Sequence, residues 1–332
     1  MPSSGFVSTG HLPAAPDVGA AVQEAFARFS DARDGEPSTV YPALERVDPD
    51  AFGVSLIDVH GTAWEAGDVT TPFTIMSVAK PFVFALAARA LGADRLDELV
   101  GVDATGLPFN SLEAVEAGPD GRTNPMVNAG AIATTALVPG ATTDERWAAI
   151  RDGLSAFAGR PLTVDDEVYA SASATNDRNR AIAWLLNSRG RLAGEPDDAL
   201  DLYTRQSALS VTAHDLAVMG ATLADGGVNP LTGERVMPAE LCHHVLAVML
   251  VAGLYETSGA WLYRVGLPAK SGIGGGIVTV SPGKGGLGTY APRLDAQGNS
   301  VRGQKAARFL SFRLGLDLLA SRPAPWPNQR PA

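Results

Sequence analysis

Strand-like patterns occur near both ends of the chain, and a long helical stretch separates them. Residues 52–59 and 62–66 are strand-like and flank a His60-Gly61 turn, which predicts two antiparallel strands. Short β-rich segments return only near the C-terminus, at 261–265, 276–280 and 288–290. The stretch 94–235 has mostly helical periodicity. The chain is therefore predicted to be an α/β (α+β) protein, with one antiparallel sheet built from both ends, flanking helices and an inserted helical subdomain.

The apolar periodicity also predicts individual helices and the limits of the domain. Helices are expected at 17–31, 77–93, 143–158, 178–187, 212–224, 238–252 and 301–320. Residues 1–16 are expected to form a flexible arm, and the Pro-rich residues 321–332 a tail. Residues 17–320 then form a single domain, with a sheet part at about 17–93 and 255–320 and a helical part at about 94–254.

Composition excludes several classes of function. The net charge of −10 argues against nucleic acid or an anionic membrane surface as a partner, because both attract a basic face. No apolar stretch reaches 18 residues without polar interruption, so no transmembrane helix is predicted. The single cysteine, Cys242, excludes an intrachain disulfide, and the N-terminus lacks the pattern of a secretory signal, so a cytoplasmic location is expected. The histidines lack metal-ligand spacing, and no metal or cofactor is predicted.

Ser77 and Lys80 form the most informative chemical pattern. Their spacing places both side chains on one face of a helix, where a lysine made neutral by burial would activate the hydroxyl. Such a pair is expected by chance about once in a chain of this length, with a surface serine and a solvated lysine as the ordinary alternative. Lysine is scarce here, however, because the 26 basic residues include only Lys80, Lys270, Lys284 and Lys305. Penicillin-binding proteins and class A β-lactamases share the Ser-x-x-Lys pattern, and Lys270-Ser271-Gly272 resembles their second motif.

Seven segments in order resemble the serine-dependent glutaminases, which have a β-lactamase-like fold and hydrolyse L-glutamine to L-glutamate and ammonia. They span about 41–319, nearly the whole chain. The segments are Tyr41-Pro-Ala-Leu44, Phe73-Thr-Ile-Met-Ser-Val-Ala-Lys80, Asn124-Pro-Met-Val-Asn-Ala-Gly-Ala-Ile132, Arg178-Asn-Arg-Ala181, Tyr203-Thr-Arg-Gln206, Gly266-Leu-Pro-Ala-Lys-Ser-Gly-Ile-Gly-Gly-Gly-Ile277 and Leu294-Asp-Ala-Gln-Gly-Asn-Ser-Val-Arg-Gly303. The resemblance implies a glutaminase that works through a seryl acyl-enzyme.

The resemblance also implies catalytic roles. Ser77 would be the nucleophile and Lys80 its base. Tyr255 would lie beside Ser77 and relay a proton to the leaving ammonia. The main-chain N–H of Ile273 would pair with that of Ser77 as an oxyanion hole.

Substrate contacts follow from the same resemblance. Asn128 and Tyr203 would hold the α-carboxylate, Asn179 would frame the substrate, and Tyr41 would close the edge of the pocket. Ser77, Tyr255 and Ile273 would touch the substrate as well. The implied partner is a small-molecule amide, L-glutamine, and the implied assembly is a homodimer or homotetramer.

One departure from the family concerns the substrate's α-ammonium group. The family places a glutamate seven residues before the position of Asn179, and this chain has Ala172 there. An unpaired ammonium in a closed pocket is costly. A nearby acid such as Asp177 or Glu167 would replace the glutamate, or serine hydroxyls and water would do so weakly, or the substrate is not free glutamine.

Three alternatives to a glutaminase remain open on the residues alone. The first is a related amidohydrolase whose substrate has an acylated or absent α-amino group. The second is a homologue that binds a small metabolite without turnover, although such a protein has no need of both Ser77 and Lys80. The third is a penicillin-binding or β-lactamase-like enzyme, against which the absence of an export signal counts.

Overall fold

The computed structural model describes residues 10–320, so most of the predicted arm and the predicted tail lie outside the described residues. A five-stranded antiparallel sheet has the strand order β2-β1-β7-β6-β5. Strands β3 and β4 form a separate two-stranded ribbon. The strands are β1 (Gly53–Asp58), β2 (Ala63–Gly67), β3 (Phe73–Thr74), β4 (Ser210–Val211), β5 (Ala269–Ser271), β6 (Gly276–Ser281) and β7 (Gly285–Tyr290).

The pairing of β1 with β7 joins the two ends of the chain. Val54 lies opposite Thr289, and Leu56 lies opposite Leu287. The predicted origin of the sheet, with strands from an N-terminal and a C-terminal segment, is therefore confirmed. The limits predicted for the sheet part and the helical part remain predictions.

Helices fill the rest of the described chain. They are α1 (Ala15–Phe29), α2 (Ala79–Leu91), α3 (Ala93–Val100), α4 (Glu113–Ala117), α5 (Asn128–Ala136), α6 (Thr143–Ala158), α7 (Asp166–Ala174), α8 (Asp177–Ser188), α9 (Pro196–Ser207), α10 (Ala213–Ala224), α11 (Ala239–Ala252), α12 (Ser258–Val265) and α13 (Val301–Leu314). Short 3₁₀ turns occur at Pro42–Arg46, Met76–Val78, Pro119–Gly121 and Tyr255–Thr257.

Each face of the sheet is covered by helices. On one face, α1, α12 and α13 bury their apolar stripes against side chains such as Val54 and Leu287. On the other face, α10 lies directly on β7 because that strand is rich in glycine. A Cβ added at Gly286 would lie 2.2 Å from the carbonyl oxygen of Ala217, and one at Gly288 would be equally crowded. This close approach packs the sheet directly against α10 of the helical part.

Helix α2 is the centre of the helical part. Residues 79–88 are all buried, so this helix is apolar on every side, as expected for a helix enclosed by others. Phe82 packs on Phe157 of α6 with ring centroids 5.1 Å apart. The N-terminal end of α2 carries Ser77 and Lys80 to the junction between the helical part and the sheet, because Gly272, just after β5, lies against Ile75 and Val78.

Several predicted elements differ from the structure. The predicted strand at 261–265 is wrong, because these residues belong to α12. Trp261 and Val265, four residues apart, are both buried on one face of that helix. The helix predicted at 301–320 ends at Leu314, where Gly315 takes the left-handed conformation at φ +63°. Helix α1 begins at Ala15, inside the predicted arm.

Among residues 10–320, no single helix is long and apolar enough to span a membrane. Two sharply bent pairs of helices reach the necessary length and composition only when their members are taken together.

Candidate active site

Ser77 lies in a strained turn directly before α2. It is the middle residue of the 3₁₀ turn Met76–Val78, and Met76 has a left-handed φ of 48°. Residues 10–320 contain three non-glycine residues with a left-handed φ. Met76 is one of them and Tyr255, at φ 55°, is another. Left-handed φ in a bulky residue costs energy and persists only where the surrounding packing fixes it. The backbone is therefore strained at the residue before the serine and at Tyr255.

A cavity of about 120 Å³, open at its mouth, lies over Ser77. Six predicted site residues line it: Tyr41, Ser77, Asn128, Asn179, Tyr203 and Ile273. The other lining residues are Val40, Met76, Phe109, Asn110, Thr175, Asn176, Arg178 and Ser207. Segments far apart in the sequence thus converge on one hydroxyl.

Lys80 lies behind the cavity wall and does not line it. Its side chain is buried, and Nζ donates hydrogen bonds to Oδ1 of Asn128 at 2.7 Å and to the carbonyl of Met126 at 3.2 Å. Burial lowers the pKa of this lysine from 10.5 to about 7. A substantial fraction of the amine is therefore neutral near neutral pH and is a competent general base.

Two tyrosines meet at the serine hydroxyl. Burial raises the pKa of Tyr203 well above its usual value and that of Tyr255 to about 12, while hydrogen bonding with Ser77 opposes the rise in both. Both phenols are therefore protonated at neutral pH; that of Tyr203 donates to Oδ1 of Asn128 and that of Tyr255 to the carbonyl of Ser271. Tyr255 does not itself line the cavity; its ring packs against that of the lining residue Phe109 with centroids 4.5 Å apart.

Lys270 lies on the far side of Tyr255. Its Nζ is 4.2 Å from the centroid of the Tyr255 ring and donates to the carbonyl of Ser271 at 2.7 Å. The same carbonyl accepts a hydrogen bond from Oη of Tyr255 at 3.3 Å. Burial lowers the pKa of Lys270 well below 10.5, and the nearby Lys80 lowers it further. Lys270 thus contacts the ring of Tyr255 directly and shares the Ser271 carbonyl with its phenol.

A directed chain of amide hydrogen bonds runs along the cavity wall. Nδ2 of Asn128 donates to Oδ1 of Asn179 at 2.8 Å, and Nδ2 of Asn179 donates to Oδ1 of Asn176 at 2.6 Å. Nδ2 of Asn176 donates to Oγ1 of Thr204 at 2.8 Å. Oδ1 of Asn128 also accepts from Oη of Tyr203 at 3.2 Å. Each amide oxygen is therefore occupied, whereas each NH₂ group retains a second N–H.

Two main-chain N–H groups at the cavity floor lack acceptors. Within the described part of the chain, neither the N–H of Ser77 nor that of Ile273 donates a hydrogen bond. The segment around Ile273 packs tightly against the serine turn, since a Cβ at Gly274 would lie 2.4 Å from the carbonyl oxygen of Thr74. Main-chain N–H groups are usually paired, so two unpaired ones beside a nucleophile indicate a site for a developing oxyanion.

No carboxylate lines the cavity, as far as residues 10–320 are concerned. Ala172 is buried on α7, and its carbonyl accepts from the N–H of the lining residue Thr175 at 3.2 Å. Asp177 points to solvent and pairs with Arg180 at 2.9 Å, and Glu167 forms an exposed pair with Arg46. Neither acid considered from the sequence therefore reaches the cavity. The same residues contain no group of three or more His, Cys, Asp or Glu side chains that would hold a metal ion.

Comparison with known proteins shows which family has this arrangement. The Glutaminase family model matches residues 35–319. Glutaminase 2 of Yersinia pestis is 63% identical over 96% of this chain and 94% of its own length. The chain belongs to the glutaminase family. A glutaminase of Colwellia psychrerythraea is 45% identical over 91% of this chain and 97% of its own length.

Solved structures of glutaminases have the same fold. The probable glutaminase YbaS superposes with a TM-score of 0.92 at 41% identity, over 93% of this chain and all of its own. A probable glutaminase of Bacillus subtilis superposes with a TM-score of 0.82 at 29% identity, over 91% of this chain and 97% of its own. The predicted β-lactamase-like fold is confirmed, as is the predicted family. Membership of the glutaminase family argues against the alternative of a penicillin-binding or β-lactamase-like enzyme.

Sequence reasoning missed part of this glutaminase cavity. Asn176 was not assigned, although it ends the amide chain, and Phe109 was not assigned, although it packs on Tyr255. Arg178 also lines the cavity, and its Nε donates to the carbonyl of Asn110 at 2.8 Å. The nearest signal was sequence proximity, since Asn176 and Arg178 flank the matched motif around Asn179. No pattern pointed to Phe109, because its contact with Tyr255 joins segments 146 residues apart.

Proposed function

We propose that this protein hydrolyses L-glutamine to L-glutamate and ammonia through an acyl-enzyme on Ser77. The observation that carries the proposal is the convergence of the Ser77 hydroxyl with two unpaired main-chain N–H groups in one cavity. A buried lysine of lowered pKa completes the set, because amide hydrolysis needs both a base and a site for negative charge.

In the acylation step, Oγ of Ser77 attacks the γ-carboxamide carbon and loses its proton to neutral Lys80. The carbonyl oxygen becomes an oxyanion between the N–H groups of Ser77 and Ile273. The C–N bond then breaks, and the proton returns to the leaving nitrogen through the phenol of Tyr255, which hydrogen-bonds with Ser77. Ammonia departs and the γ-glutamyl ester remains on the serine.

In the deacylation step, water attacks the ester carbon and the same groups act in reverse order. The water gives up a proton toward Lys80, and the oxyanion forms again at the N–H groups of Ser77 and Ile273. The C–O bond to Ser77 breaks, and the hydroxyl is regenerated with L-glutamate as the product. The substrate's α-carboxylate would be held by the free N–H of Asn128, with Tyr203 beside it.

Release of ammonia from L-glutamine tests the proposal. We expect wild type to release ammonia and Ser77→Ala to lose at least about 10³-fold in kcat, the scale seen when a seryl nucleophile is removed. Ser188→Ala is a matched control, because Ser188 lies at the end of α8 and its hydroxyl caps the carbonyl of Leu185. Hydroxylamine should intercept the acyl-enzyme and give γ-glutamyl hydroxamate. Equal turnover by wild type and Ser77→Ala would refute the proposed nucleophile.

We further propose that the protein is a cytoplasmic homodimer or homotetramer. Tyr263 of α12 and Phe312 of α13 are each 91% exposed, and such aromatic side chains favour burial in an interface. Cys242 is a buried free thiol, which suits a reducing compartment. Light scattering during gel filtration tests the assembly against the chain mass of 34.4 kDa. A monomeric mass at micromolar concentration would refute it, and fractionation of the source cells tests the location.

A further inference from the structure

The polar groups of the cavity are biased toward donors. Oδ1 of Asn128 accepts from Lys80 and Tyr203, and the amide oxygens of Asn179 and Asn176 each accept from the preceding amide. The second N–H of each of these amides and the remaining guanidinium N–H groups of Arg178 are left for a ligand, beside hydroxyls and the Asn110 amide, which both donate and accept. Such a surface complements a carboxylate and offers an ammonium group no charged acceptor.

The formal charge of the cavity lining is positive, like that of an α-ammonium group. Arg178 is the one residue among those lining the cavity that carries a formal charge, as far as the described residues show. An α-ammonium bound here would meet this cation and neutral amides without a counter-ion. Removal of a charge from water without a partner is costly, so the cavity penalises the charged form of an α-amino group.

Ala172 lies behind the cavity lining, at the position where the resemblance to the family implies a counter-ion. It lies on the same stripe of α7 as Val168, four residues earlier, which packs with Met76, Tyr41 and Ile273. It also lies three and four residues before the lining residues Thr175 and Asn176 along the chain. With 4% exposure, its methyl group contributes apolar surface behind the cavity and no charge.

We infer that this glutaminase recognises the carboxylate of its substrate and does not select for a free α-ammonium. Its substrate class is then γ-carboxamides with a carboxylate at the other end, including those whose α-nitrogen is acylated or absent. Ala172 is the residue that determines this breadth. The inference rests on the proposed function, because it concerns the same cavity and the same acyl-enzyme.

The test compares three amides by ammonia release: L-glutamine, Nα-acetyl-L-glutamine and 4-carbamoylbutyrate, which lacks the amino group. Wild type should hydrolyse 4-carbamoylbutyrate or the acetylated amide with a kcat/KM within about tenfold of that for L-glutamine, or higher. This comparison uses wild type alone and does not depend on the folding of any variant. A preference for L-glutamine above about 100-fold over both analogues would overturn the inference and leave the proposed glutaminase activity standing.

The variants Ala172→Glu and Ala172→Gln separate charge from size. Ala172→Glu should raise the preference for L-glutamine over 4-carbamoylbutyrate at least tenfold, whereas the neutral and isosteric Ala172→Gln should not. An equal shift in both variants would show that bulk and not charge acts at this position, and would overturn the role given to Ala172. If wild type hydrolyses none of the three amides, the proposed function fails together with the inference. If it hydrolyses L-glutamine alone, only the inference fails.

Discussion

Replacement of Lys80 by methionine should stabilise the fold while it abolishes activity. The side chain is buried, and burial lowers its pKa from 10.5 to about 7. At about 1.36 kcal/mol per pKa unit, that depression corresponds to about 5 kcal/mol lost when the protonated form is buried. The hydrogen bonds to Asn128 and Met126 return about 2–3 kcal/mol. Lys80→Met at pH 6 should therefore raise the free energy of unfolding by about 2 kcal/mol.

The sign of this effect depends on pH. Between pH 7 and 10.5 the unfolded chain keeps a proton on Lys80 that the folded chain has lost, so the stability of wild type rises with pH across this window. At pH 9.5 the burial penalty has fallen to about 1 kcal/mol, less than the hydrogen bonds supply. The advantage of Lys80→Met should therefore vanish or reverse by pH 9.5.

Urea unfolding at pH 6 and pH 9.5 measures this change. Lys305→Met is the matched control, because Lys305 is half-exposed and pairs with Asp34 at 2.7 Å, and its loss should change stability by less than about 1 kcal/mol. Activity of Lys80→Met on L-glutamine should fall at least about 10³-fold. Destabilisation by Lys80→Met at pH 6, or a stability change that is the same at both pH values, would refute the burial argument.

Three further predictions concern the catalytic groups. The logarithm of kcat/KM should rise with a slope of about one below pH 7 and level off above it, because Lys80 must lose its proton to act as a base; a profile that falls over this range would contradict that role. Tyr255→Phe should lower kcat by about 10²–10³-fold, because the phenol relays a proton. Tyr290→Phe is the control and should leave kcat unchanged, because the Tyr290 ring stacks on Phe73 away from the cavity lining. Equal kinetics for the two variants would exclude the proton relay. Lys270→Met should lower kcat about tenfold with KM little changed, because Lys270 positions Tyr255 without lining the cavity; a rise in KM alone would contradict this role.

The sequence alone determined the elements whose residues repeat with a local period. Helix α6 matches its predicted limits, 143–158, because the apolar period lies within the segment and the acceptor side chain of Thr142 caps it one residue earlier. The meeting of both chain ends in one sheet was also predictable, since strand patterns occur only there. The pair Ser77 and Lys80 was visible because a helix fixes their spacing.

The tertiary structure decided what depends on contacts between distant segments. The segment 261–265 looked like a strand and is helical, because Trp261 and Val265 bury together on one face of α12. The chain of amides from Asn128 to Asn176 joins α5 to the segment between α7 and α8, and no local pattern specifies which oxygen each amide occupies. The lowered pKa of Lys80 arises from desolvation by helices around α2. A lysine's charge state follows from its surroundings in space, which a spacing of three residues does not contain.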